Sequence, residues 1–127
     1  MEKMKFQIEI DFKSIPPSIL WPYISTPSGL KEWFADEVTL QGKRFTFIWD
    51  GGTQQTASIV AQRTDSSLRL RWNGDSLRDY FEMKIVTGEM TDSTSLLVTD
   101  FALPSDIDDA RDLWLSQLET LRTILGC

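Results

Sequence analysis

The sequence predicts an α+β fold in which a strongly curved antiparallel β-sheet of about seven strands wraps a long C-terminal α-helix, with two short helices between the first and second strands. Three observations predict it. Segment 105–125, SDIDDARDLWLSQLETLRTIL, is the one long stretch with a helical period. Most of what precedes it alternates apolar and polar side chains with the period of two that marks a half-buried strand. Strands that are apolar on one face need a cover, and the terminal helix is the element long enough to supply it.

In order, Phe6, Ile8, Ile10 and Phe12 alternate with Lys5, Gln7, Glu9 and Asp11, which gives a first strand with one buried face. Pro16 and Pro17 break it and lead into a helix, where a missing backbone N–H costs nothing. Ile19, Leu20, Tyr23 and Ile24 share a face there, and Pro22 would remove one internal hydrogen bond. Thr26, Pro27, Ser28 and Gly29 open a second short helix with Leu30, Trp33 and Phe34 inside and Lys31, Glu32 and Asp36 outside. Residues 37–101 read as a meander of antiparallel strands. Val38 and Leu40 mark a brief one; Phe45, Phe47 and Trp49 face one way in the next, and Asp50, Gly51 and Gly52 supply a hairpin turn that tolerates positive φ. Ala57, Ile59 and Ala61, then Leu68, Leu70 and Trp72, then Phe81, Met83 and Ile85 mark three more, with turns at 64–67 and 73–75 and a loop at 88–93. In the last strand two phases stay open, Leu96, Val98 and Asp100 or Leu97, Thr99 and Phe101, before Pro104 stops it. On the terminal helix, about 100° per residue puts Ile107, Ala110, Leu113, Trp114, Leu118, Leu121, Ile124 and Leu125 on one face, opposite Asp108, Asp112, Ser116, Glu119, Arg122 and Thr123. Ser105 is the expected N-cap with Asp108 as its capping-box partner, Asp106 and Asp109 suit the positive helix end, and Gly126 can close the C-terminus.

Length and composition bound the function. The 127 residues are expected to form a single domain, residues 1–127, and 41% hydrophobic with 25% charged residues argues against disorder. A net charge of −6 without any basic run makes nucleic acid an unsuitable partner. The start, MEKMKFQIEID, has no signal-peptide core and no apolar run approaches the roughly 20 residues of a membrane span, so cytoplasmic residence without membrane insertion is the expectation. The chain has no histidine, which excludes Ser-His-Asp and Cys-His catalysis and most zinc and non-haem iron sites. Cys127, the sole cysteine, reads as a frayed terminal residue, so no disulfide is expected. Asp106, Asp108, Asp109 and Asp112 read as a solvated helix start without the glycine of a calcium loop, and no metal or cofactor is expected.

The stretch PPSILWPYISTPSGLKEWFADEV and the closing LWLSQLETLRTIL resemble the helix-grip proteins of the START-like, or SRPBCC, superfamily, most of all the branch of homologues of the activator of the heat-shock protein 90 ATPase. Pro17, Trp21, Thr26 with Pro27, Leu30, Trp33 and Trp114 carry the likeness, which extends over essentially the whole chain. It implies the helix-grip fold and an apolar cavity between the curved sheet and the long helix. Where many members of that branch carry a longer, charged insertion after the Trp-containing helix, this chain passes from Trp33 straight to short strands.

Gln117 falls within the apolar stripe of the terminal helix, between Leu113, Ala110 and Leu121. A buried amide left without partners costs about 1–3 kcal/mol. It therefore either orients the polar end of a ligand or bonds a strand or a buried water. Trp33, Phe47, Trp49, Trp72, Phe81, Met83 and Trp114, with Ala110, Leu113, Gln117 and Leu121, are the residues expected to line a pocket for a small apolar or aromatic ligand; core packing is the alternative for each aromatic. Asp50, Glu82, Asp100, Arg69, Arg71 and Tyr80 could serve as acid, base or anchor if their side of the strand faces inward. The expected function is binding of a small hydrophobic molecule by a monomer or homodimer. The alternatives are a protein-interaction module with a chaperone partner and a cyclase- or hydrolase-type enzyme using Asp100 with Tyr80.

Overall fold

The structure, a computed structural model, describes residues 2–88 and 93–126; most of the loop expected at 88–93, and Cys127, lie outside the described residues. Strand β1 (Met4–Phe12) is followed by α1 (Pro17–Ser25), α2 (Pro27–Trp33), β2 (Glu37–Gln41), β3 (Arg44–Trp49), β4 (Thr53–Arg63), β5 (Ser67–Trp72), β6 (Phe81–Thr87), β7 (Thr94–Ala102) and, after one 3-10 turn, α3 (Ile107–Ile124). The seven strands form one antiparallel sheet in the order β1-β7-β6-β5-β4-β3-β2. Consecutive hairpins build most of it, and β1 closes on β7 with Ile8 opposite Val98 and Phe6 opposite Asp100. This is the α+β helix-grip architecture, a curved sheet with α3 as its long C-terminal helix.

Alternation fixes which face is buried. Phe6, Ile8, Ile10 and Phe12 of β1 meet Phe45 and Phe47 of β3, Leu68 and Leu70 of β5 and Phe81, Met83 and Ile85 of β6 in one apolar cluster with Trp114, Leu118 and Leu121 of α3. In β7 the register places Leu96, Val98 and Asp100 on this inner face, resolving the open phase. Thr99 points the other way and is nevertheless buried, accepting a hydrogen bond from Gln7 Nε2 at 3.1 Å. The hairpin turn after β3 has Asp50 and Gly51 at φ 50° and 71°, the left-handed geometry its sequence predicts.

Several local expectations are corrected. Helix α3 starts at Ile107, not after Ser105: Pro104 sets a 3-10 turn over Pro104–Asp106, Asp106 takes the N-cap position, and no side chain caps the helix, so Ser105 and Asp108 form no capping box. Gly126 does close it, at φ 72°. Leu113 and Ile124 of the apolar stripe are exposed, because the sheet meets α3 along the narrower line of Trp114, Leu118 and Leu121. In α1, Ile19 is exposed and Trp21 is buried in its place. In β4 the pairing with β5 slips between Ile59 and Ala61, so Ala61 ends up exposed.

Helices α1 and α2 cross tightly. Thr26 Oγ1 caps α2 by accepting from Gly29 N at 3.0 Å. Gly29 lies so close to α1 that a Cβ added there would stand 2.0 Å from Pro22 O. Among the described residues no helix is long and apolar enough to cross a membrane.

Candidate functional site

The last turn of a helix leaves carbonyl groups without intrahelical partners. At the end of α2 the C-cap is Phe34, and its carbonyl accepts from Trp49 Nε1 at 2.7 Å and from Gln117 Nε2 at 3.0 Å. One helix terminus thereby ties the end of β3 to the middle of α3. This explains an amide within an apolar stripe: the Gln117 NH2 group satisfies a backbone acceptor, while its Oε1 has no partner among the described residues.

Beside this junction lies an open cleft of about 420 Å³, lined by Phe34, Trp49, Asp50, Thr53, Gln55, Trp72, Asp100, Leu113, Trp114 and Gln117. Its aromatic walls support one another. Phe34 packs against Trp49 with centroids 5.8 Å apart and against Trp114 at 5.6 Å, and Trp49 against Trp72 at 6.1 Å. The central and far parts of the space between sheet and helix are filled by Leu68, Leu96, Leu118 and Leu121, all fully buried. The opening between sheet and helix therefore sits at one end, where the β3–β4 hairpin approaches α3.

Asp50 and Asp100 are the acids of this cleft, Asp50 exposed and Asp100 half-buried. Asp100 is held in place. Its Oδ2 accepts from Trp114 Nε1 at 2.8 Å and its Oδ1 from Phe101 N at 2.7 Å. Burial pushes its pKa above the usual carboxylate value, although both hydrogen bonds and the charge of Lys3 favour the ionised form; Asp75 adds a small push upward. The direction sets a stability signature. An acid whose folded pKa exceeds its unfolded one takes up a proton on folding, so its contribution falls as pH rises from about 4 through the folded value. The difference in urea-unfolding free energy between wild type and Asp100→Asn should therefore shift in favour of Asn as pH rises from 4 to 7. A flat difference, or the opposite slope, would show that the carboxylate is not desolvated.

Of the residues expected to line a pocket, Trp49, Trp72, Leu113, Trp114 and Gln117 meet in this cleft. Phe47, Phe81, Met83 and Leu121 are fully buried in the core, and two of them support the walls: Phe81 stacks on Trp72 at 4.9 Å and Phe47 meets it edge-on at 5.6 Å. Trp33 is buried on α2 and donates from Nε1 to Tyr23 O at 2.8 Å, while half-buried Ala110 packs against the core. Phe34, Thr53 and Gln55 were not foreseen as lining. Gln55 shares the parity of inward-facing Ala57, a signal hidden by its polarity. Asp100 and Tyr80 do not form a pair: Tyr80 packs on Phe101 and under the Arg69 guanidinium, 4.0 Å from its ring, on the outer face of the sheet. Arg69 is paired there with Glu82 at 2.9 Å, and Arg71 donates to the carbonyls of Leu77 and Asp79. Among the described residues no group of three or more acidic or cysteine side chains is placed to hold a metal ion.

A seven-stranded antiparallel sheet gripping a long C-terminal helix defines an α+β helix-grip class. The family model for a START-like superfamily domain matches residues 1–127, and the chain belongs to that superfamily. Among solved structures, the Bacteroides fragilis protein BfR322 is 40% identical, over 98% of this chain and 93% of its own, with a TM-score of 0.68. The Mesorhizobium loti protein MLL2253 shares 20% identity over 97% of both chains at a TM-score of 0.77. The Aha1 dimer from Colwellia psychrerythraea shares 16% over 94% of this chain and 93% of its own, at 0.78. The last two are likenesses of fold. No curated protein matches the chain.

Proposed function

We propose that this protein binds a small, largely apolar or planar molecule in the cleft between the β3–β4 hairpin and α3. The superfamily is one whose domains commonly bind hydrophobic ligands. The observation that carries the reading here is the convergence of Phe34, Trp49, Trp72 and Trp114 on one opening of about 420 Å³, within the size of small-molecule sites. Other depressions differ in chemistry; in the one of about 710 Å³ beside the end of β1, Phe12 is the one aromatic among charged Asp11, Lys13, Glu119 and Arg122.

The neutral planar dye N-phenyl-1-naphthylamine tests it. Its fluorescence should rise on binding and its titration should move the indole N–H resonances of Trp49, Trp72 and Trp114. Leu113 is 61% exposed at the rim, so Leu113→Lys should leave stability within about 0.5 kcal/mol. It should weaken dye binding roughly fivefold, through about 1 kcal/mol of lost apolar contact. Unchanged affinity in that variant, or resonance shifts confined to another surface, would remove the cleft from consideration.

A further inference from the structure

We propose that the ligand is an organic cation, an alkyl- or arylammonium compound whose charged head lies against Asp100 while its apolar part rests on the indole rings. This rests on the cleft being the ligand site and adds the charge of what it takes.

Two indoles that line the cleft have their N–H groups turned inward to protein partners: Trp49 Nε1 donates to Phe34 O and Trp114 Nε1 to Asp100 Oδ2. Gln117 also directs its amide nitrogen to Phe34 O. What remains toward the opening carries formal charge of one sign only: the Asp100 carboxylate oxygens, each with a further lone pair, and the Asp50 carboxylate, beside Gln117 Oε1 and the neutral polar groups of Thr53, Gln55 and Trp72. Among the described residues no lysine or arginine lines the cleft. The cation that acts on Asp100, Lys3, is held in an ion pair with Asp75 at 3.5 Å. An anionic ligand would meet two carboxylates and find these donors already engaged. A neutral apolar ligand would take further water from the half-buried Asp100 charge and add nothing to the two hydrogen bonds that already support it.

A cation reverses each of these terms. It offsets the desolvation that raises the pKa of Asp100, and the negative faces of indole rings attract it. Aromatic surface beside a carboxylate is the combination that recognises ammonium groups in water, where neither feature suffices alone.

Three probes of matched shape test the charge on the full chain: benzyltrimethylammonium, its uncharged carbon isostere neopentylbenzene, and anionic phenylmethanesulfonate. Each is followed by the indole N–H resonances. Benzyltrimethylammonium should bind at least about tenfold more tightly than the isostere, with the Trp114 indole moving most, and the sulfonate should not bind. Asp100→Asn, whose amide oxygen can still accept from Trp114 Nε1, should reduce that preference by about fivefold. Asp50→Asn should reduce it by a smaller factor, and is safe for the fold because Asp50 is exposed at φ 50°, a conformation asparagine readily takes. If melting shows that Asp100→Asn does not fold, Asp50→Asn alone decides. Equal binding of cation and isostere, or a preference unchanged by the substitutions, overturns the charge assignment and leaves the cleft standing. Failure of all three probes, together with failure of the neutral dye, overturns both.

Discussion

Phe81→Ala should destabilise the protein by about 3–5 kcal/mol. Phe81 is fully buried on β6, directly beneath the cleft. It stacks on Trp72 with centroids 4.9 Å apart and 25° between the planes, and lies 6.1 Å from Phe34 and 6.0 Å from Trp114. Its removal costs the transfer free energy of a phenyl ring and leaves a void that these rings, two of them tied elsewhere, are poorly placed to fill. Trp114 is held by Asp100, and Phe34 by its place at the end of α2. Urea unfolding should show a lower midpoint at an unchanged slope, and Phe81→Leu should fall between the two. A loss below about 1.5 kcal/mol would mean that the rings collapse into the space, and that the cleft walls are adaptable instead of braced.

The contrast between Phe81 and Trp72 shows how far the sequence could be read. Both are aromatic, both lie on alternating strands and both point inward, so periodicity assigns them the same role. Only the ends of the strands distinguish them: Trp72 closes β5 where the sheet opens, whereas Phe81 begins β6 under it. The fold was legible because it depends on the apolar alternation of β1, β3 and β5 and on the helical period of α3, which are local and repeated. Failures came where tertiary contact decides. Leu113 carries the same signal as Leu118 on the helical wheel, yet it is 61% exposed while Leu118 is fully buried, because the sheet covers a narrower line than the stripe. Gln117 announced itself by breaking the apolar pattern, but its partner, the carbonyl at the end of α2, is 83 residues away in sequence. Thr53 and Gln55 carry no apolar signal, and Asp100, a candidate acid from the sequence, has its face fixed only by the register of β7 against β1.

Gly29→Ala tests the crossing from which the cleft hangs. By helix propensity the substitution should stabilise, since alanine is favoured over glycine by about 1 kcal/mol inside a helix. The tertiary structure reverses the sign. A Cβ on Gly29 would lie 2.0 Å from Pro22 O, 2.5 Å from Tyr23 Cα and 2.7 Å from Pro22 C, all of them backbone atoms that cannot rotate away. Either α1 and α2 move apart or the variant does not fold. A loss of about 3 kcal/mol or more is expected, at the upper end of what overpacking costs, with a fall in Tm of about 10 °C. Gly52→Ala is the matched control: its Cβ would meet nothing within 4 Å, and its stability should stay within about 0.5 kcal/mol of wild type. The consequence reaches the site as well. Helix α2 ends in Phe34, whose carbonyl holds both Trp49 and Gln117, so a displaced α2 loosens the cleft from its inner side. Neutral-dye affinity in Gly29→Ala should accordingly fall under conditions where the protein is still folded. A variant as stable as wild type would show that the two helices are free to separate, and that the aromatic walls are held by the sheet and α3 alone.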